Sequence, residues 1–568
     1  MLDSPLFTSD LALNVLQFLS VKDSSSLAST SSRYYYLVHQ FRRLICGTEL
    51  STVASHIRDV RSRQKTADQV VKKAIDGVRT VPNFALGFST RSASTVYDVE
   101  HGFLAESLSK SLPTDTAFVV ANSGSIQSAN IDGVECQSKS LLMLGSLSHQ
   151  SEIHPFYIPG TSYQGEMEFI VQNEFDHMSW DHSPEWKVFI VYVCGRAHEL
   201  VDEFLVCIQR QYPEALVVGG ICGDGVVSIS QQDTNKSTLT RLPNTELISM
   251  YEDLKGRKAS QAVRNASMGH DALVDLVYNE LLSRKYSPQR VSEGIFGIAL
   301  AGDVPVQSVV SRGVKSRLTD GDPGATTPFY VAETRLVRCG DPEFFFGGDD
   351  APPFHLVRRI EDRESGQFLT PAQLVSRFGE PEFLGIQRED EDGFELLDVH
   401  PISYSTGSFV IPTSWRRGER SLLNANINFF YLHGGMCMKD LETKMQLLKQ
   451  QTAGQKLLGA LMYSCSARGP LPNMLITERM GDAERFADVF RDVPLLGFYA
   501  GGEIGPTARV GQRCVFQRGH TTLQGFTAVF ALFIVPIVDV GSIQLDDSPQ
   551  NVKSFLAAEL GKRTVRHS

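Results

Sequence analysis

No two cysteines in this 568-residue chain are spaced as CxxC, and the nine present (Cys46, Cys136, Cys194, Cys207, Cys222, Cys339, Cys437, Cys465 and Cys514) are scattered and odd in number. That pattern argues against a disulfide framework or a zinc module and fits reduced thiols in the cytosol or nucleus. Positive charge is also scarce. The 54 Lys and Arg stand against 65 Asp and Glu, a formal net charge of -11. Phosphate contacts need clustered cations, so nucleic acid is excluded as the main partner. Long apolar runs are missing too: Phe526 to Val538 is too short to cross a bilayer and contains Pro536. The start, MLDSPLFTSD, has an early acid and no basic region, so no secretory signal is expected. The chain reads as soluble, cytoplasmic and/or nuclear, with no membrane partner. It carries no P-loop, Rossmann fingerprint, zincin motif or GxSxG elbow, and no cofactor is expected.

What is present is an ordinary globular composition, 42% hydrophobic and 21% charged, in a chain long enough for three or four folding units. Residues 4–45 read as three short helices. Asp10 caps the first, whose Leu11, Val15, Leu16 and Leu19 share a stripe. The second carries Leu27, and the third runs from Arg33 through Tyr34, Tyr35, Leu37, Val38, Phe41 and Leu44. So small a unit cannot bury its own stripe and calls for a partner. Residues 46–81 read as a locally basic linker helix, most simply a solvated one.

From Pro82 the character becomes α/β, and its centre of gravity lies at Leu457–Pro506. There LLGALMY ends in Ser464-Cys465-Ser466-Ala467-Arg468-Gly469, a helical patch follows at Glu484–Phe490, and PLLGFYA breaks into Gly501-Gly502-Glu503-Ile504-Gly505-Pro506. Two apolar runs of strand length around a helix read as buried parallel strands, and their ends are where α/β folds place ligands. The same pattern occurs earlier. VFIVYVCGR ends in Cys194-Gly195-Arg196, a helix carries Asp202-Glu203-Phe204, and ALVVGG ends in Gly219-Gly220. Two related α/β halves are therefore expected. Residues 229–292 read as a polar insertion, 318–354 as Gly, Pro and Asp-rich loops, and the acidic run Glu389–Asp392 before Gly393 as a solvated turn.

Cys465 is the sharpest candidate. A thiol at a strand end beside Arg468 would have a lowered pKa, although a small soft side chain filling a tight spot is the commoner use of cysteine. Arg468 and Glu503 could grip a zwitterionic or anionic ligand, or pair with each other. Asp176-His177 with Asp181-His182, and His433 beside Gly434-Gly435, are weak metal-like clusters, and no metal is expected.

SCSARG (Ser464–Gly469), VPLLGFYAGGEIGP (Val493–Pro506) and TTLQGFTAVFAL (Thr521–Leu532) resemble the FIST family, with weaker support from VVGGICGDG and GIALAGDVPVQSVVSRGV. LALNVLQFL followed by SRYYYL resembles an F-box, with Leu6-Phe7-Thr8 in place of the usual Leu-Pro. The resemblance implies an F-box at 4–45, a linker helix at 46–81, a FIST N-terminal domain at 82–292, a FIST C-terminal domain at 293–540 and a tail at 541–568. The fold class is α+β or α/β: a small three-helix F-box before a large two-part module with internal duplication. It further implies a non-catalytic substrate-recognition subunit of an SCF-type ubiquitin ligase. Leu11, Val15, Leu16, Leu19 and Leu27 would meet a Skp-type adaptor and, through it, a cullin. The FIST part would take a substrate protein or a small ligand at Cys465, Arg468, Gly501, Gly502 and Glu503. Two other readings stand beside it: an amino-acid-like ligand sensor without a ligase role, and a thiol enzyme using Cys465.

Overall fold

The computed structural model describes residues 49–537 apart from 56–62, 91–99, 114–115, 132–139, 149–150, 161–166, 177–184, 231–285, 342–352, 399–406, 413–420 and a few isolated positions, with scattered positions between 16 and 47. Leu11, Val15 and Leu27 lie outside the described residues. Leu16 is 1% exposed and Leu19 half-buried. Leu37, Val38 and Phe41 are buried as well, and the Arg79 guanidinium lies 5.6 Å from the Phe41 ring centre.

The expected linker helix is shorter than the sequence suggests. Its first part is a strand, β1 (Leu50–Ser55), paired antiparallel with β5 (Ser140–Gly145), and only Arg63–Asp76 (α1) is helical. Thr52 and Ala54 are half-buried between the buried Ser51 and Val53, the alternation of an edge strand.

Three copies of one unit, rather than two halves, build the core. In the first, β2 (Phe84–Thr90) and β3 (Ala117–Ser123) run parallel, joined through α2 (Glu100–Ser111). In the second, β7 (Trp186–Cys194) and β8 (Leu216–Ile221) are joined through a 3-10 turn and α4 (Val201–Gln211). The third joins β21 (Gln455–Cys465) and β22 (Leu495–Ala500) through a 3-10 turn and α7 (Gly481–Val489). These are the fully apolar strands and intervening amphipathic helices that the sequence encodes.

Each leading strand also has an antiparallel neighbour and an antiparallel edge. For β2 these are β5 and β1. For β7 they are β11 (Gly294–Ala301) and β6 (Glu152–Pro159). For β21 they are β26 (Ala528–Pro536) and β12 (Val306–Ser311).

At the far side each unit borrows a strand. After β3 the chain turns into β4 (Ile126–Ala129), which pairs with β22. After β22 it turns into β23 (Glu503–Pro506), which pairs with β8 and with β25 (Thr521–Gln524). After β8 it turns into β9 (Asp224–Ser230), which pairs with β3 and with β10 (Tyr286–Val291). The registers agree: Ile126 faces Phe498, Glu503 faces Gly220, and Gly225 faces Ala121. Thr90, Cys194 and Cys465 are therefore equivalent strand ends, and Ile126, Gly225 and Glu503 are equivalent starts of the exchanged arms.

The three units meet on aromatic rings two residues before those strand ends. Tyr192 and Tyr463 share a 3.1 Å hydroxyl–hydroxyl hydrogen bond, Phe88 lies 6.1 Å from Tyr192, and Phe498 contacts all three rings at 5.5–6.1 Å. Such edge and tilted pairs contribute about 0.5–1.5 kcal/mol each beyond their burial.

Between the second and third units sits a nine-stranded sheet with its own core. Its path is β16 (Gln367–Leu369), β15 (Phe354–Asp362), β14 (Phe329–Val337), β20 (Asn426–Leu432), β17 (Phe383–Gln387), β18 (Phe394–Asp398) and β24 (Arg509–Val510). Short strands β13 (Val314–Ser316) and β19 (Phe409–Pro412) pair with β20 and β15. Helix α5 (Pro371–Phe378) opens on a Thr370–Gln373 capping box. Phe329–Val337, expected as loop, is thus a long strand. Its half-buried alternation hides among Gly and Pro neighbours.

Gly219 and Gly497 occupy equivalent positions, and a Cβ on either would collide with a backbone carbonyl oxygen, of Val191 and Met462 respectively. The parallel strands approach too closely there for a side chain. Gly219→Ala or Gly497→Ala is expected to lower stability by about 3 kcal/mol or more. Gly501→Ala, whose Cβ would meet Ile221 Cγ2 at 3.6 Å, should stay within about 0.5 kcal/mol. Urea unfolding midpoints of the three variants check this.

Candidate functional site

The third unit's strand ends bring Cys465 and Glu503 together and send Arg468 elsewhere. Arg468 is 0% exposed in the 3-10 turn after β21. It forms a two-pronged pair with Asp482 in the first turn of α7, Nε to Oδ2 at 3.0 Å and Nη2 to Oδ1 at 2.5 Å. Ser464 Oγ donates to the same carboxylate. Burial alone would favour loss of the Arg468 proton, but Asp482 holds it firmly. The Arg468–Glu503 pair, one of the two expected arrangements, does not form, since Asp482 takes the guanidinium instead. Arg196 is exposed and has no equivalent role, since Ala197 rather than Arg196 stands three residues past its strand end.

Glu503 is 0% exposed at the start of β23. Its Oε2 accepts from Thr527 N at 3.1 Å and Thr527 Oγ1 at 2.9 Å, while Oε1 is buried with no hydrogen-bond partner. Burial pushes the carboxyl up to about 8, against the pull of the two Thr527 bonds, the Arg312 charge and the Cys465 thiol beside it. At neutral pH it is mostly protonated. Arg312, 3% exposed, stacks 4.5 Å over the Phe383 ring centre and donates from Nη2 to Gly525 O at 3.0 Å.

Cys465, 8% exposed, donates its backbone N–H to Thr527 O at 2.9 Å. Burial first, then the neighbouring Glu503, push its thiol up to about 11, although backbone groups of Ala467 and Phe526 pull it down. The expectation of a thiol activated by Arg468 is therefore reversed: burial and the Glu503 carboxyl outweigh the backbone groups, and Arg468 does not act on it. Cys194, the equivalent thiol, is pushed up to about 12 by burial. Phe526 completes the site's outer edge: φ +60°, 39% exposed, its carbonyl 3.5 Å from Arg468 Nη1. Gly501 is exposed beside it in sequence with buried Gly502, in the turn between β22 and β23. The expected match of Gly501-Gly502 with Gly219-Gly220 does not hold, since Gly219 aligns with Gly497 inside the strand.

The repeats act as internal controls. In the first unit the position of Glu503 is Ile126, 2% exposed. In the second it is Gly225, where a Cβ would run into the Phe296 ring. Two units fill this space with hydrocarbon and only the third places a carboxyl there. The architecture does not require it.

Sequence reasoning missed Asp482, Arg312 and Thr527. Thr527 lies inside the flagged TTLQGFTAVFAL segment, but nothing in the spacing ties Asp482 to an arginine fourteen residues earlier. Of the His/Asp clusters, His177, Asp181 and His182 lie outside the described residues. Among the described residues no group of three metal-ligating side chains converges, and no helix is long and apolar enough to cross a membrane.

The FIST C domain matches residues 381–506, which implies a signal-transduction or ligand-sensing module. Neither an F-box nor a FIST N-terminal domain is matched. An uncharacterized protein of Mycobacterium tuberculosis (strain CDC 1551 / Oshkosh) is 27% identical over 253 residues, 43% of this chain and 55% of that protein. An uncharacterized protein of Mycobacterium bovis is 33% identical over 139 residues, 24% of this chain and 30% of that protein. The chain thus spans about half the length, or less, of these curated relatives.

Two outcomes are expected. Asp482→Asn leaves a buried guanidinium uncompensated and should cost about 3–5 kcal/mol, whereas Arg468→Met with Asp482→Leu should recover much of it; chemical denaturation of the three proteins decides. For Glu503 the folded-state pKa of about 8 lies above the ordinary 4.5, so the folded state binds the extra proton. Its stabilising contribution is full below pH 4.5 and is lost as pH rises through 8. Glu503→Gln should flatten that part of the stability–pH curve, read as melting temperature across the range.

Proposed function

We propose that this chain is a non-catalytic ligand-sensing and signal-transduction protein whose ligand meets Glu503 at the end of the third unit. One observation carries the reading. Among three equivalent positions only Glu503 is polar, and its Oε1 is buried without a partner, a state that ordinarily costs about 1–3 kcal/mol. A ligand donor would satisfy that oxygen, and the FIST C domain match over 381–506 supports a sensory role.

The chemistry favours an amine. A carboxyl with a raised pKa ionises when an ammonium group arrives, so binding a cationic amine releases a proton and strengthens as pH rises through about 8. Arg468 serves as an anchor rather than a ligand contact: it and Arg312 hold the carbonyls of Phe526 and Gly525, the turn beside the site. Gly501 and Gly502 form the turn that leads into Glu503, and Cys465 stands beside the carboxyl as an uncharged neighbour. The thiol-enzyme reading loses its motive because burial raises the thiol pKa. No observation favours the ubiquitin-ligase reading.

Thermal shift against a panel of amino acids and simple amines tests the proposal. A binding amine at 100 times its dissociation constant should add about 2.7 kcal/mol of stability, more at pH 8.5 than at pH 6.5, and Glu503→Gln should remove the pH dependence. A shift in the Gln variant that still grows from pH 6.5 to pH 8.5 as it does in the unsubstituted protein would sink the assignment.

A further inference from the structure

The end of the units opposite Glu503 is sealed in two of the three and open in the other. In the first unit Phe84, at the start of its leading strand, stacks on Phe533 of the third unit at 6.0 Å and 11°. In the third the equivalent residue is Gly459, where an added Cβ would meet Met143 Cε at 3.2 Å and Leu50 Cδ1 at 3.4 Å, so first-unit side chains cover it. In the second unit the equivalent residue is Val188, and here the strand starts open into a cavity of about 500 Å³. That volume is in the range of small-molecule sites, ~300–1,000 Å³.

The lining divides by chemistry. Trp186, Val188, Leu216 and Val306, each 8% exposed or less, supply apolar wall. The Trp186 indole N–H is already given to Phe175 O at 3.2 Å, so the ring offers only hydrocarbon. The rim carries the carboxylates of Glu185, Glu214 and Asp303 against the cations of Lys187 and Arg518. Arg518 Nη2 donates to Gln307 Oε1 at 2.9 Å within the same lining.

We propose that this cavity is a second small-molecule site, for an organic cation with an apolar or aromatic body. The body lies against Trp186 and the aliphatic wall, and the ammonium group reaches the acidic rim. It is separate from the Glu503 site in position and in residues.

Calorimetric titration of the full chain with tyramine, p-cresol and 4-hydroxyphenylacetate tests it, since these share a body and differ in charge. Tyramine should bind saturably and the other two at least tenfold more weakly. The exposed pair Asp303→Asn with Glu185→Gln, which leaves the wall intact, should weaken tyramine at least tenfold, and should do so equally in a Glu503→Gln background, where an amine held at the first site does not enter the comparison. Three results overturn the site: no saturable tyramine binding, p-cresol binding as tightly as tyramine, or tyramine affinity indifferent to the rim pair. Loss of tyramine binding in Glu503→Gln instead assigns it to the first site and equally overturns this one.

Discussion

The exchange of arms at three turns is the constraint on which the rest of this structure depends. Each parallel pair stops, turns, and pairs with the next unit rather than with its own neighbour. The interlock is held by backbone hydrogen bonds at the turns themselves: Tyr499 N to Ser125 O at 2.9 Å, Ile221 N to Gly502 O at 2.9 Å, and Gly223 N to Asn122 O at 2.7 Å. Because the turn backbones bond to one another, their small residues are fixed by the architecture, and only side chains that leave the common plan carry information about function. Glu503 is such a side chain. Cys465 is not, since Cys194 repeats it.

The buried charges are distributed in keeping with this. Arg468 is fully satisfied by Asp482 and organises the start of α7 from below the strand ends, so its burial costs the fold little. Glu503 is satisfied on one oxygen only, and burial has neutralised it. The first is a strut, and the second keeps a buried acceptor open beside it. Both arginines that touch the Gly525–Phe526 turn do so through main-chain carbonyls. The position of that turn is therefore tied to two different packing environments, Phe383 on one side and Asp482 on the other.

Much of the scaffold was legible in the sequence because strands buried on both faces are written as unbroken apolar runs. VFIVYVC, LVVGGI, LLGALMY and PLLGFYA fell where strands were expected, and the strand–helix–strand repeat around Cys194 and Cys465 was visible in residue types. The first unit's strands and helix are equally legible, but its kinship with the other two escaped because it has lost the markers: Thr90 stands where the others have cysteine, and Val120 stands where they have Gly219 and Gly497. Edge and half-exposed strands such as Leu50–Ser55 and Phe329–Val337 were misread because alternation over a few residues among polar neighbours is a weak signal. At the site, Cys465 and Glu503 stand together as their strand ends suggest, but the pairing open to Arg468 in the sequence is not the one that forms. A spacing shows which residues share an element, while the choice of Asp482 over Glu503 for Arg468 is made by the tertiary packing of α7.

The exchanged arms also determine what a fragment of this chain can do. The stretch 381–506 that matches the FIST C domain carries β21, β22 and β23 but neither β4, which completes the edge of β22, nor β8, on which β23 lies. β26, the antiparallel partner of β21, lies outside it as well, so cut out by itself it would leave β21, β22 and β23 each with an edge that has no partner of their own chain, the geometry that invites other molecules to pair and aggregate. The unit that sequence comparison isolates is therefore smaller than the unit that folds. Deletion, fusion or domain transplantation has to keep at least one strand from each of the three repeats.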